Sequence, residues 1–119
     1  AWAQTIASDN SSPQTAVQIS GSGNHTSTAP TGTDYFWFRP TESGSATFGV
    51  NASAIYLRAT DSTHTSVGGL LIYDTADASG NSQIGYSVSK DSYYLVEVRN
   101  SSTTNAFTLS WTLPAVAPP

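Results

Sequence analysis

Three side chains able to bind sugars or other polar polymers alternate along one short segment. Tyr35, Trp37 and Arg39 occupy every second position of a strand-like run, so they point to one face while Phe36 and Phe38 point to the other. Residues two apart on a strand are separated by roughly 7 Å, which presents flat rings and a guanidinium group as a row on which sugar rings can stack. The pattern predicts a ligand-binding surface, or aromatic residues that only pair across neighbouring strands.

A later strand-like run carries side chains that could extend this row. Tyr93, Glu97 and Arg99 are separated by even numbers of residues, so their side chains point to one face of a strand. They join the surface of Tyr35, Trp37 and Arg39 if this strand lies in the same sheet. We therefore predict the ligand-binding residues Tyr35, Trp37, Arg39, Tyr93 and Arg99. Further outward-pointing candidates are Tyr56, Arg58 and Tyr73.

The sequence contains no combination of residues that indicates a catalytic site more strongly than chance would. His25 and His64 lie in polar segments without a second metal ligand at a suitable spacing, and no Gly-x-Ser-x-Gly nucleophile motif occurs. The acidic residues fall mostly in turn-like segments, where they solvate and shape the chain. We expect no enzymatic activity. The turn-placed acids are Asp9, Glu42, Asp61, Asp74, Asp77 and Asp91.

Composition excludes several classes of partner. The 119 residues include four basic and eight acidic side chains, for a formal charge of −4, so there is no cationic surface for nucleic acid or anionic lipid. No apolar run is long enough for a membrane-spanning helix. The absence of cysteine and the abundance of serine and threonine fit a secreted, extracellular domain of bacterial type. We expect a monomer.

Short alternating runs, spaced about ten residues apart and separated by Gly, Asn, Asp and Ser, indicate an all-β fold. We predict a single-domain antiparallel β-sandwich, jelly-roll-like, with about eight strands in residues 1–113. Residues 114–119 have the composition of a Pro-rich linker tail, which suggests a module of a longer chain. The runs at 35–39 and 46–50 are expected to form a hairpin, and 21–32 is expected to be a flexible polar segment. The remaining predicted strands lie near 16–19, 54–59, 70–73, 84–88, 93–99 and 107–113.

Three motifs in order resemble those of the bacterial pre-peptidase C-terminal domain, over about residues 31–113. They are the segment 31–38 (TGTDYFWF), the segment 70–74 (LLIYD) and the segment 92–98 (SYYLVEV), followed by Phe107-Thr108-Leu109. The resemblance implies a jelly-roll-like β-sandwich that is appended to secreted peptidases, glycoside hydrolases and other exoenzymes. It implies an accessory role rather than catalysis.

Some relatives of this family carry a calcium site, of which this sequence retains a part. The resemblance suggests Asp34 as a ligand, with Asp9 and Asn10 as additional oxygen donors. Thr31 and Gly68-Gly69 stand where many members have acidic residues, and Ca²⁺ requires six to eight hard oxygens. Calcium is thus an expectation to be tested, and no cofactor is required for the predicted role.

These observations favour a non-catalytic accessory module that binds an extracellular polysaccharide and keeps an attached catalytic domain near its substrate. One alternative is a module of a secreted peptidase that binds collagen-like or other fibrous protein. Another is a structural spacer without a ligand.

Overall fold

A computed structural model describes residues 13, 16–26, 32–63, 68–100 and 107–114. In chain order the strands are β1 (Val17–Gln18), β2 (Ser22–Thr26), β3 (Gly32–Phe38), β4 (Gly44–Val50), β5 (Ala54–Thr60), β6 (Leu70–Thr75), β7 (Ser82–Val88), β8 (Tyr93–Asn100) and β9 (Thr108–Thr112). The described residues contain no helix that is long and apolar enough to cross a membrane.

The strands form two packed sheets, which confirms the predicted β-sandwich. A five-stranded sheet has the order β1-β3-β8-β5-β6, and a four-stranded sheet has the order β2-β9-β4-β7. All pairs are antiparallel except the short parallel pair of β1 with β3. The nine strands include each of the predicted runs and one that the sequence did not indicate.

The core lies between the two sheets and is built from the inward-facing residues of each strand. The Phe38 ring lies 5.8 Å from the Phe48 ring of the opposite sheet and 5.1 Å from the Tyr94 ring beside it. Trp111 belongs to this core, since its side chain is buried and its indole donates to the Ser20 carbonyl at 3.3 Å. Fully burying a large apolar side chain contributes about 1.5–3 kcal/mol. The other fully buried large apolar side chains include Phe36, Phe107, Ile55, Leu57, Val96, Val98 and Leu109.

The predicted hairpin between the runs at 35–39 and 46–50 is wrong. β3 pairs with β8 in one sheet, and β4 pairs with β7 and β9 in the other. After β3 the chain crosses between the sheets at the buried Pro40, whose carbonyl accepts the Asp91 amide at 2.8 Å. The two runs face each other through the core instead of sharing a ladder, because both have a hydrophobic row to bury.

Strand β2 occupies part of the segment expected to be flexible. It pairs with β9 over its whole length, and its inward positions are Gly23 and His25. A Cβ atom at Gly23 would lie only 3.0 Å from the Trp111 ring, so the indole fills the space that an apolar side chain would occupy. The strand therefore lacks the apolar alternation by which strands are recognised in a sequence.

Candidate functional site

The outer face of the five-stranded sheet carries all five predicted ligand-binding residues. Tyr35 and Trp37 lie on β3, Tyr93 and Arg99 lie at the two ends of β8, and Arg39 directly follows β3. β3 and β8 are neighbours, so the alternation in each strand brings these side chains to a common surface. The structure therefore brings the five predicted residues to one face of one sheet.

At one end of this face is the Trp37 cluster, which we define as Trp37, Tyr93, Arg39 and Asp91. The Trp37 and Tyr93 rings are stacked, with centroids 6.0 Å apart and an interplanar angle of 29°. The Arg39 guanidinium carbon lies 5.6 Å from the Tyr93 ring centroid, and Arg39 pairs with Asp91 at 3.1 Å. Trp37 is half-buried, so one part of its ring contributes to packing and the other reaches the surface.

At the centre is the Glu97 cluster, which we define as Glu97, Arg58, Arg99, Tyr56 and Tyr73. The Glu97 side chain is only 4% exposed, and its two oxygens accept from Arg58 Nε at 3.3 Å and from Arg99 Nε at 2.5 Å. Both guanidinium groups lie over the Tyr56 ring, at 4.6 Å for Arg99 and 5.4 Å for Arg58. A buried carboxylate thus fixes two cations against one aromatic ring.

Tyr73 extends this cluster to the edge of the sheet. Its ring stacks on Tyr56 with centroids 5.8 Å apart and an interplanar angle of 17°. Tyr73 is 56% exposed although it is a large hydrophobic residue, so its outer surface is open to a ligand. An exposed ring held by a second ring is a platform of the kind on which sugar rings stack.

Strand register produces this arrangement. Tyr35 lies opposite Glu97, Glu97 opposite Tyr56, and Tyr56 opposite Tyr73, so one row crosses four strands. With neighbouring strands about 4.8 Å apart, the row is about 14 Å long. Leu95, which precedes Glu97 on the same face of β8, is fully buried and separates the two clusters. The row lies along the outer face of the sheet, with the nearly buried Glu97 within it and the exposed ring of Tyr73 at one end.

Burial and the Glu97 charge both affect the ionisation of the side chains in and beside the row. Burial raises the pKa of Tyr35 above its ordinary value, and the nearby Glu97 charge raises it further, so the phenol stays neutral. The hydrogen bond to Glu97 raises the pKa of Arg99, which keeps the guanidinium charged. Neutral hydroxyls and fixed cations are hydrogen-bond donors, which suits a ligand rich in oxygen acceptors.

The outer face of the four-stranded sheet is different. Its outward positions in the described strands hold only Ser, Thr, Asn, Gln and Gly, without a ring or a charge. They are Ser22, Asn24 and Thr26 on β2, Thr108, Ser110 and Thr112 on β9, Ser45, Thr47 and Gly49 on β4, and Gln83, Gly85 and Ser87 on β7. The rings and guanidinium groups are thus concentrated on one of two otherwise comparable faces.

The predicted calcium ligands are only partly described. Asp34 lies on β3 on the same face as Phe36 and Phe38, and its charge acts on His25 of the opposite sheet. Asp9 and Asn10 lie outside the described residues, as does His64. In the part of the chain that the structure describes, no three His, Cys, Asp or Glu side chains come together as a metal site. Asp34 alone does not make up the six to eight oxygen ligands that Ca²⁺ requires.

Sequence reasoning identified most of this site, including Tyr56, Arg58 and Tyr73 as outward-pointing residues. It did not identify the burial of Glu97 between two arginines or the pairing of Asp91 with Arg39. The first depends on β5 lying beside β8 in the sheet, and the second on the crossing of the chain at Pro40. The only signal for Glu97 in the sequence is a carboxylate in the middle of an apolar strand.

Comparison with solved structures identifies the fold. The chain is similar to the pre-peptidase C-terminal domain of a collagenase from Bacillus anthracis, with a TM-score of 0.58, 13% sequence identity, and coverage of 82% of this chain and 92% of that domain. A weaker similarity is to a periplasmic inhibitor of g-type lysozyme from Aeromonas hydrophila, with a TM-score of 0.47, 13% identity, and coverage of 86% and 96%. No protein-family model and no curated protein matched the sequence. The resemblance indicated by the sequence motifs is therefore confirmed at the level of the fold.

Proposed function

We propose that this domain is a non-catalytic accessory module of a secreted enzyme, and that it binds an extracellular polysaccharide through the outer face of the five-stranded sheet. The observation that carries the proposal is the pair of stacked aromatic contacts, Trp37 with Tyr93 and Tyr56 with Tyr73, in reach of three arginines. Stacking on rings combined with hydrogen bonds to hydroxyls is a general means of holding a sugar chain.

The accessory role is supported by the fold shared with a domain of a collagenase. An open row of rings gives weak contacts, which become effective when the module is attached to a catalytic domain. Tethering makes the encounter of that domain with the polymer intramolecular, and the effective concentration reaches the millimolar range for short linkers. A shallow and exposed binding face is sufficient for this purpose.

The test is depletion of the isolated domain from solution by insoluble polysaccharides, including cellulose, chitin and xylan. Trp37→Ala and Tyr73→Ala are compared with Thr47→Ala and Gln83→Ala, which lie on the opposite outer face. Because the ring area that a sugar would cover contributes of the order of 1–2 kcal/mol, we expect about a tenfold loss of affinity for the first two variants and none for the others. Unchanged melting temperatures would show that the variants are folded.

Three results would contradict the proposal. The first is retention on no polysaccharide, which would favour a spacer. The second is retention that survives both aromatic substitutions, which would place the binding surface elsewhere. The third is turnover of a polysaccharide or peptide by the purified domain, which would make it an enzyme.

A second candidate is binding to collagen-like or other fibrous protein. It is favoured by the collagenase origin of the similar domain. The same depletion assay with insoluble collagen and elastin separates the two candidates, since each predicts retention on one class of polymer only.

A further inference from the structure

The arginines of this chain are distributed very unevenly. The sequence has four basic residues, Arg39, Arg58, Lys90 and Arg99, in a chain with a formal charge of −4. All three arginines contact aromatic rings of the outer face of the five-stranded sheet. The described acidic side chains that meet them there are Asp91 and Glu97, so this group carries a net charge of +1 in an acidic protein.

Of the two arginines that share Glu97, Arg99 is the one that solvent reaches. One arginine would neutralise Glu97, and Arg58, with its side chain only 19% exposed, already pairs with it. Arg99 is a second partner of the same carboxylate and is 52% exposed. Among the described residues Arg99 donates a side-chain hydrogen bond to Glu97 through Nε alone, and its side chain is half-exposed, so its two terminal amino groups can donate to a further acceptor.

On this basis we infer that the proposed polysaccharide ligand is acidic, and that Arg99 binds the carboxylate of a uronic acid residue while a sugar ring stacks on Tyr73. This inference rests on the proposed function and names its substrate class. The terminal amino groups of an arginine match the two oxygens of a carboxylate, and such bidentate contacts are stronger than hydrogen bonds between neutral groups. Glu97 holds the guanidinium in place before the ligand arrives, which reduces the entropy lost on binding.

The negative charge of the whole chain does not oppose this contact under physiological conditions. At 0.15 M ionic strength the Debye length is about 8 Å, so exposed charges further away are largely screened. The local charge of the Glu97 cluster then decides which polymer approaches. A neutral polysaccharide would gain from the rings but not from the second arginine.

The test compares each acidic polymer with a form of the same polymer that has lost its charge. Affinity electrophoresis is carried out in native gels containing polygalacturonate or alginate, beside the corresponding esterified polymers. We expect retardation by at least one acidic form and about tenfold weaker binding to its ester, because one charge-assisted contact is lost. Retardation should also weaken as sodium chloride is raised.

Two variants test whether the preference for the acidic polymer depends on Arg99. Arg99→Gln removes the proposed carboxylate contact, and Lys90→Gln removes the same charge from the exposed turn that precedes β8, at the opposite end of that strand. We expect Arg99→Gln to bind the acidic polymer about tenfold more weakly and Lys90→Gln to bind it as the wild type does. If Arg99→Gln unfolds, the comparison of acidic and esterified polymers with the wild-type protein decides the question alone.

The outcomes separate this inference from the proposed function. Equal binding to the acidic and esterified forms, or binding to neutral polysaccharides only, overturns the inference and leaves the proposed function standing. Equal retardation by poly-glutamate overturns it in favour of an acidic peptide ligand. Binding to no polysaccharide overturns both. Loss of affinity in Lys90→Gln equal to that in Arg99→Gln would show a general charge effect and contradict the role of Arg99.

Discussion

Replacing Glu97 by glutamine should destabilise the domain and disorder its candidate binding face. Glu97 is 4% exposed, and Arg58 and Arg99 both donate to it. The substitution keeps the size of the side chain and one acceptor oxygen but removes the negative charge. Two guanidinium groups then remain over the Tyr56 ring without a counter-charge.

The expected loss of stability follows from how exposed the two ion pairs of Glu97 are. Breaking a fully buried ion pair costs about 3–5 kcal/mol, whereas an exposed pair contributes about 0–1 kcal/mol. The pair of Glu97 with Arg58 is largely buried, and the pair with Arg99 reaches solvent through a half-exposed arginine. Because one hydrogen bond persists in the variant, we expect a loss of about 2 kcal/mol, and a melting temperature lower by about 8 °C for a domain of this size.

Urea and thermal unfolding measure this loss, and double-mutant cycles with Arg58→Gln and Arg99→Gln divide it between the two pairs. We expect a coupling energy above about 1 kcal/mol for Arg58 and a smaller one for Arg99. The matched control is Asp91→Asn, which breaks the exposed pair with Arg39 and should change stability by less than about 0.5 kcal/mol. Asparagine tolerates the left-handed conformation of Asp91, whose φ is 66°. If Glu97→Gln is as stable as this control, the buried carboxylate does not organise the face.

Three further outcomes are expected. Gly68→Ala should destabilise the domain by about 1–3 kcal/mol because its Cβ would clash with the Ala59 carbonyl, whereas Gly69→Ala has open space and should be neutral in urea unfolding. Burial lowers the pKa of His25, and the Asp34 charge opposes this shift only in part, so the unfolded chain binds more protons than the folded domain. The free energy of unfolding should therefore fall as the pH decreases below 6.5. His25→Gln should remove this part of the pH dependence, measured by urea unfolding between pH 5 and 7. If calcium binds as the family resemblance suggests, millimolar Ca²⁺ should raise the melting temperature of the wild type but not of Asp34→Ala, and the absence of any rise would contradict the site.

The sequence predicts the strands with strong apolar alternation and not the pairing between them. The inward rows of β3, β4, β8 and β9 are regular, and their strands form where they were expected. The pairing of β3 with β8 links segments about sixty residues apart, and nothing local distinguishes it from a hairpin with β4. Strand β2 was not predicted because its inward positions are not apolar residues: the Trp111 indole fills the space at Gly23, and the other inward residue is His25.

The candidate site, too, could be predicted only in part, because the sequence indicates which side chains share a face of a strand but not which strands are neighbours. Alternation alone places Tyr35 and Trp37 on one face of β3, and the structure confirms this placement. The contacts that fix the arginines depend on the order of four strands, since Glu97 meets Arg58 only because β5 lies beside β8. A strand pattern therefore reveals which side chains share a face, while the sheet order determines which of them meet.

This chain has few charged side chains, so the place of each one in the fold indicates what it contributes. Charged residues are 10% of the sequence, and solubility is provided largely by hydroxyl and amide side chains, as on the outer face of the four-stranded sheet. The arginines are therefore not needed to keep the five-stranded sheet soluble. Desolvating Glu97 beside two guanidinium groups costs free energy that a smaller polar residue would avoid. This loss of stability is offset by a gain in binding if the ordered guanidinium group of Arg99 and the exposed ring of Tyr73 together bind a ligand. The comparison of acidic and esterified polymers tests that contact directly, so it is more decisive than depletion by insoluble polysaccharides.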